Sequence, residues 1–423
     1  MIKTFTWLFL LLFSLNINAQ YKPDVIIMGG SAAGTAAAIQ AARSGVKALL
    51  IEPSYNLIGE LNPNMDIPSV DMSLWKEWRD AFYKANDSSR TTPQVVLENI
   101  VKNTKNLQFL KETIIQEIKE KNNGWELQVL INGKPEKIKC KVLLDAGTNS
   151  KASLLQKNGI LKLDSAGKYI SLVNYDKAQQ NTPYQQLQKL YRTSAASGFG
   201  KDSIRHYIPL GVFIPQEKDN LLLVSMSSFK DFDTEDLRNI ALWVNMGQAA
   251  GALAAYGPFF DVSPSKANIR LTQGEMFTYK SFLYAVQDIQ KSDFAWTPVQ
   301  KIIASGILLL DFKTGFFNPT EIVNTKDIKG VLAELYPRSR IWFIENKTEQ
   351  LSVAQLVSLI SFITGRDPIS IQQEIEADWV NKYQFTSTYS QEKNISKIEL
   401  ACLFDNYITP FNVNVDFNGY FLR

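Results

Sequence analysis

The sequence predicts an α/β fold followed by a mainly helical region, and three observations carry that expectation. An apolar run from Asp24 to Met28 leads through a glycine turn into an alanine-rich stretch, and a second apolar run, Val46 to Ile51, ends at an acid. Strand-like runs broken by Asn-Gly steps fill Leu107 to Leu144. Beyond about Gln290 the texture turns to amphipathic helical segments.

Val25-Ile26-Ile27-Met28 is apolar throughout, as a strand buried on both faces requires. Gly29-Gly30-Ser31-Ala32-Ala33-Gly34 follows, then Thr35 to Ser44, rich in the best helix former, with Gly45 as its stop. Gly29 permits the tight turn and Gly34 lets the helix pack on the strand. The first helical turn offers free N–H groups and a partial positive charge to a pyrophosphate. Glu52 falls 23 residues after Gly29, where a carboxylate accepts hydrogen bonds from an adenosine ribose. This order predicts a Rossmann-like dinucleotide-binding unit and leaves NAD and FAD open. Ser31 stands where the usual pattern has its middle glycine: its Cβ crowds the phosphates, or its hydroxyl donates to one of them.

Pro93 to Asn103 reads as an amphipathic helix. Three strand-like runs follow, Leu107 to Ile118, Trp125 to Ile131 and Lys137 to Leu144, with turns at Asn123-Gly124 and Asn132-Gly133. Val142-Leu143-Leu144 looks like a return into the parallel sheet and ends at Asp145-Ala146-Gly147. Tyr207 to Pro215 precedes Asp219-Asn220-Leu221-Leu222-Leu223-Val224. Met246-Gly247-Gln248-Ala249-Ala250-Gly251 opens a second small-residue helix, whose backbone a cofactor could approach closely. Trp75 and Trp78, with Phe82 and Tyr83, lie at helical spacing and read as core packing before they read as a ring-binding wall.

Composition sets further bounds. The 423 residues carry 45 Lys and Arg against 42 Asp and Glu, a net charge of +3, which argues against nucleic-acid binding through a basic face. His206 is the only histidine, so a multi-histidine metal site is impossible, and no metal is expected. Cys140 and Cys402 lie far apart and form no C-x-x-C; each reads as a small core residue, with one disulfide between them left open. Lys3, the apolar stretch Phe5 to Leu15 and the small Ala19 form the pattern of a secretory signal peptide over 1–19. The expectation is an exported chain, periplasmic, cell-surface or secreted, with no integral membrane segment after cleavage.

With these motifs in order, the sequence resembles the exported bacterial FAD-dependent oxidoreductases of the glutathione-reductase-like superfamily. The glycine turn, the strand ending in Glu52-Pro53, the Ile208-Pro209 to Leu222 stretch and the Met246 to Gly251 helix carry that resemblance. It implies a Rossmann-like FAD-binding domain with inserted β-hairpins over 20–290, followed by a mainly helical C-terminal domain over 291–423. It also implies FAD as cofactor and a small-molecule substrate that exchanges a hydride with the flavin. Gly29, Gly30, Ser31, Ala33, Gly34 and Glu52 would hold the ADP half. Gly59, Asp219, Gly247, Gln248 and Ala249 would lie near the ribityl chain and the flavin ring. The chain departs from the family at Glu60, where a glycine is usual, at Gly147, where the threonine of Asp-Ala-Thr is usual, and at Ser225-Met226, where a Gly-Arg pair is usual. The alternative is therefore a catalytically degenerate, flavoprotein-like binding protein of the cell envelope.

His206 is the one side chain that titrates near neutrality unperturbed, and with Arg205 it is the candidate catalytic pair; packing or surface roles are the competing reading. Arg238 is a second candidate for binding an anionic substrate. The segment from Ser292, with Thr325 capping a helix to Leu335, resembles the small helical modules of the S-layer homology type, with a further copy through Leu351 to Gly365 and Trp379 to Tyr407. That resemblance implies a cell-envelope polymer as partner. The competing reading is a helical appendage that packs on the flavin domain and carries no site.

Overall fold

Short strands made only of valine, isoleucine, leucine and methionine have no polar face to turn outward, so they must be covered on both sides. The computed structural model, which describes residues 22–58, 73–86, 91–147, 154–161, 169–173, 189–199, 205–224 and 240–422, shows how this is done. Strands β1 (Val25–Met28), β2 (Ala48–Ile51), β3 (Leu107–Leu110), β7 (Val142–Asp145) and β10 (Leu221–Leu223) form one sheet in the order β10-β7-β1-β2-β3. Every neighbouring pair in it is parallel.

One face of the sheet is covered by helices α1 (Ala32–Arg43) and α5 (Ile240–Phe260), which run together along their length. Helices α2 (Ser73–Asn86) and α3 (Pro93–Asn103) flank them. Trp75 and Trp78 are buried and meet edge to face at 5.6 Å, so this aromatic pair is core. The other face is covered by an antiparallel meander of β4 (Ile114–Lys121), β5 (Gly124–Ile131) and β6 (Lys134–Cys140). Ile118, Trp125, Leu127 and Val129 of the meander pack against Ile26, Leu49, Leu143 and Leu223.

The first and third of the strand-like runs expected between Leu107 and Leu144 each divide in two. The chain leaves the parallel sheet at Lys111 to Thr113, with Glu112 at φ +47°, and re-enters it at Lys141. Neither break carries a glycine or proline, which is why the sequence pattern runs through both. A short helix, α4 (Leu154–Lys157), buries Leu155 under the meander. A hairpin of β8 (Ser194–Phe199) and β9 (Arg205–Pro209) packs on α5 and leads through Leu210–Phe213 towards β10. Cys140 and Cys402 are both free and buried, and burial pushes both thiols well above their ordinary range.

The C-terminal part is helical: α6 (Ile269–Thr278), α7 (Trp296–Ser305), α8 (Thr325–Leu335), α9 (Ser339–Glu345), α10 (Val353–Thr364), α11 (Pro368–Asn381) and α12 (Lys397–Tyr407). Three short extended segments precede α8, α10 and α12, and each bridges the other two: Ile322 with Ser396, Asn324 with Gln350, Ser352 with Asn394. Val323, Leu351 and Ile395 are buried where they meet. Ser352 and Ser396 each start their helix with a reciprocal cap, to Gln355 and Glu399, and Asn324 with Asp327 occupies the same spacing before α8. Among the described residues, no helix is long and apolar enough to cross a membrane. The expected signal peptide, 1–19, lies outside them.

Candidate functional site

An open parallel sheet leaves a crevice beyond the carboxyl ends of its strands. Here that edge is built by Met28 to Ser31 after β1, Glu52 after β2, Asp145 to Gly147 after β7 and Val224 after β10. Gly29 has φ +97°, and a Cβ placed on it would lie 2.8 Å from Gly147 Cα, so the two turns touch backbone to backbone. Ala146 packs its methyl against Gly34 in the first turn of α1.

Ser31 is the N-cap of α1: its Oγ accepts from the Gly34 N–H at 3.1 Å, and its carbonyl accepts from Thr35 at 2.8 Å. The hydroxyl proton is left to donate outward. The N–H groups of Ser31, Ala32 and Ala33 meet no acceptor among the described residues, so three donors and the positive end of α1 face the crevice. Glu52 is buried, with one carboxylate oxygen accepting from Gly30 N–H and the other from Ser54 N–H at 2.8 Å. Each of its oxygens keeps a second acceptor position.

Two features were not foreseen from the sequence. Ile58 donates its N–H to the Gly30 carbonyl at 2.7 Å and holds φ +56°, a strained backbone for a β-branched residue. Nothing in the local sequence signals it. Asp145 ends β7 at the crevice with its Oδ1 accepting from Gly147 N–H at 3.0 Å, and burial pushes its carboxyl up to about 6. An acid closing a buried strand was visible in the sequence, but not that no cation among the described residues acts on it.

Several residues expected at the flavin are engaged by other parts of the chain. Asp219 is exposed in the turn before β10, at the amino edge of the sheet and so opposite the crevice, and accepts from Ser265 at 2.8 Å. The bare face of Gly247 is occupied by Ala33, whose carbonyl oxygen would lie 2.1 Å from a Cβ there; this glycine serves the crossing of α1 and α5. Gln248 is buried, with its amide donating to Gln40 at 3.1 Å and Ser73 at 2.8 Å, and Ala249 is wholly buried. These three residues join helices, because a small-residue stripe suits a helix partner as well as a cofactor. Arg205 donates to the Lys313 carbonyl at 2.8 Å and lies 4.8 Å over the Phe199 ring, which ties β9 to the loop before α8. His206 is buried on β9 opposite Gly198. Gly59, Glu60, Ser225, Met226 and Arg238 lie outside the described residues.

The residues at the edge fit the ADP half of a dinucleotide: open N–H donors at a helix start suit a pyrophosphate, and the Glu52 carboxylate suits a ribose. Residues 24–160 match the family model described as FAD dependent oxidoreductase, and FAD is the cofactor that this match supports. Among solved structures, p-nitrophenol 4-monooxygenase PnpA from Pseudomonas putida DLL-E4 aligns over 38% of this chain and 50% of its own, at 12% identity and a TM-score of 0.25. The flavin-dependent monooxygenase PieE, in complex with FAD and substrate, aligns over 34% and 33%, at 13% identity and 0.25. T. acidophilum thioredoxin reductase aligns over 30% and 36%, at 20% identity and 0.19. The aligned part spans half or less of each of those chains.

Proposed function

We propose that this protein is an FAD-dependent oxidoreductase that moves a hydride between a small organic substrate and the flavin. The observation that carries the reading is the crevice edge itself: three open N–H donors at the start of α1 beside the Glu52 carboxylate, inside the segment that matches the family model. Gly29, Gly30, Ser31, Ala33, Gly34 and Glu52 would hold the ADP half. FAD, when bound, supplies the two-electron chemistry, and the protein supplies binding and orientation. The signal-like segment 1–19 supports export of the chain. The alternative keeps the crevice without turnover, with the three-way junction of the C-terminal helices meeting an envelope polymer.

The test is a visible spectrum of residues 20–423, before and after excess FAD and gel filtration. The expected result is a yellow protein with about one flavin per chain, bleached by a suitable reductant. A folded, colourless protein that releases all added FAD would overturn the enzyme reading. Flavin that stays bound but is reduced by no small organic donor would favour the binding protein.

A further inference from the structure

Asp145 is a buried acid with no counter-charge among the described residues, at the crevice edge read above as the pyrophosphate site. Register puts it beside Met28 of β1 and Leu223 of β10, level with the Gly29 turn. Alternation along β7 sends Ala146 towards α1 and Asp145 to the opposite face. The segment that carries it touches the phosphate turn, since Gly147 lies against Gly29. Oδ1 accepts from Gly147 N–H, and Oδ2 accepts no hydrogen bond among the described residues. From β1 it faces Met28 and Gly29, from β10 Leu223 and Val224, and none of these is charged. Further along the edge stand Glu52, held by the Gly30 and Ser54 N–H groups, and Lys111, paired with Glu98 at 2.6 Å. No charged side chain among the described residues acts on the Asp145 carboxyl, and burial alone moves it towards the neutral form.

We propose that Asp145 must hold its proton for the dinucleotide to bind, so that binding of FAD takes up one proton. Ionised, Asp145 adds a negative charge at the end of β7, beside the crevice that must accept a pyrophosphate, with no cation among the described residues to offset it and with the carboxylate buried where water screens it poorly. Neutral, it removes that repulsion and keeps its bond to Gly147. This inference rests on reading the crevice as the FAD site.

The test measures FAD affinity for the whole chain by flavin fluorescence, in steps from about pH 5 to pH 8, for the wild type and Asp145→Asn. The pyrophosphate diester of FAD does not titrate in that range. Affinity of the wild type is expected to fall about 50-fold from pH 6 to pH 8. Asp145→Asn, which still accepts from Gly147, is expected to bind almost equally at both and more tightly than the wild type at pH 8. Calorimetry on the wild type alone, in two buffers of different ionisation enthalpy, should show uptake of about one proton at pH 8 and close to none at pH 5. Affinity independent of pH, an equal pH dependence in both proteins, or no proton uptake at pH 8 overturns the proposal and leaves the FAD site standing. Failure of both proteins to bind FAD at any pH overturns the FAD reading and the proposal together.

Discussion

Asp145 also makes a prediction at the level of a single residue that needs no cofactor. Burial raises its carboxyl from the ordinary 3.8 to about 6 in the folded chain. The folded form therefore gains most from this group below the lower value and loses that gain as pH rises through the higher one. Full ionisation costs about 3 kcal/mol of stability. Acids held by partners act in the opposite sense: the Lys393 ammonium and Ser387 hydroxyl overcome burial at Glu399 and lower its carboxyl, so its contribution is lost on acidification. The difference between the wild type and Asp145→Asn isolates the one group. In urea titrations of the apo-protein the variant should be the more stable by about 2–3 kcal/mol near pH 7.5, and the gap should close towards pH 4. A gap that does not change with pH would show that the carboxyl is not strained by burial. The sequence displayed this acid at the end of an apolar run, but whether a cation stands near it depends on which strands lie beside β7.

Between elements, the same small residue can answer to different neighbours. Gly247 and Gly251 of α5 lie over Ala33 and Ala37 of α1, where an added Cβ would come within 2.1 and 2.4 Å of backbone oxygens. Gly330, in the middle of α8, has nothing within 4 Å of the same position. Gly247→Ala should destabilise the protein by about 1–3 kcal/mol, because neither helix backbone can yield without moving the sheet beneath it. Gly330→Ala should stabilise it by roughly 0.5–1 kcal/mol through helix propensity. Urea midpoints of the two variants against the wild type check both signs. Gly247→Ala should also weaken FAD binding, since Ala33 lies in the turn whose donors face the crevice. The sequence showed that α5 carries a stripe of small residues; it could not show what lies against the stripe, because helix partner and cofactor impose one requirement on side-chain size. The turn after β1 was more legible, since its residues serve a contact local in sequence. The strand breaks at Lys111 and Lys141 were not legible, since neither carries a glycine or proline and the left-handed backbone of the first falls on Glu112, a residue type that does not announce it.

On the scale of the whole molecule, buried hydrogen bonds cross the change of texture near Gln290. Gln300, fully buried on α7, accepts from the N–H groups of Leu283 and Tyr284 at 2.9 and 2.8 Å and returns a bond to the Tyr284 carbonyl at 2.9 Å. Arg270 on α6 is buried with no carboxylate partner among the described residues, and its charge is met by the carbonyls of Arg192 at 3.0 Å, Ala304 at 3.1 Å and Val413 at 3.2 Å, with Gln273 at 2.8 Å. Burial lowers it only to about 10, so it stays cationic at neutral pH. Ala304 lies in the last turn of α7, where the helix carbonyls favour a positive charge. One side chain thus holds the segment before β8, the end of α7 and the tail after α12 together, and Arg192 adds a bond to Gly419 from the same tail at 3.2 Å. Cutting the chain at 290 removes two of these four acceptors, the Ala304 and Val413 carbonyls, and leaves Arg270 with half of its partners. Residues 20–290 alone should therefore show no cooperative thermal transition, while the whole chain should melt in one, with calorimetric and van't Hoff enthalpies equal. Arg270→Met in the whole chain should cost about 3–5 kcal/mol, because it leaves buried carbonyls without a donor. Two separate transitions in the whole chain, the later one kept by residues 291–423 alone, would instead show that the helical part folds independently and that Arg270 joins two finished domains.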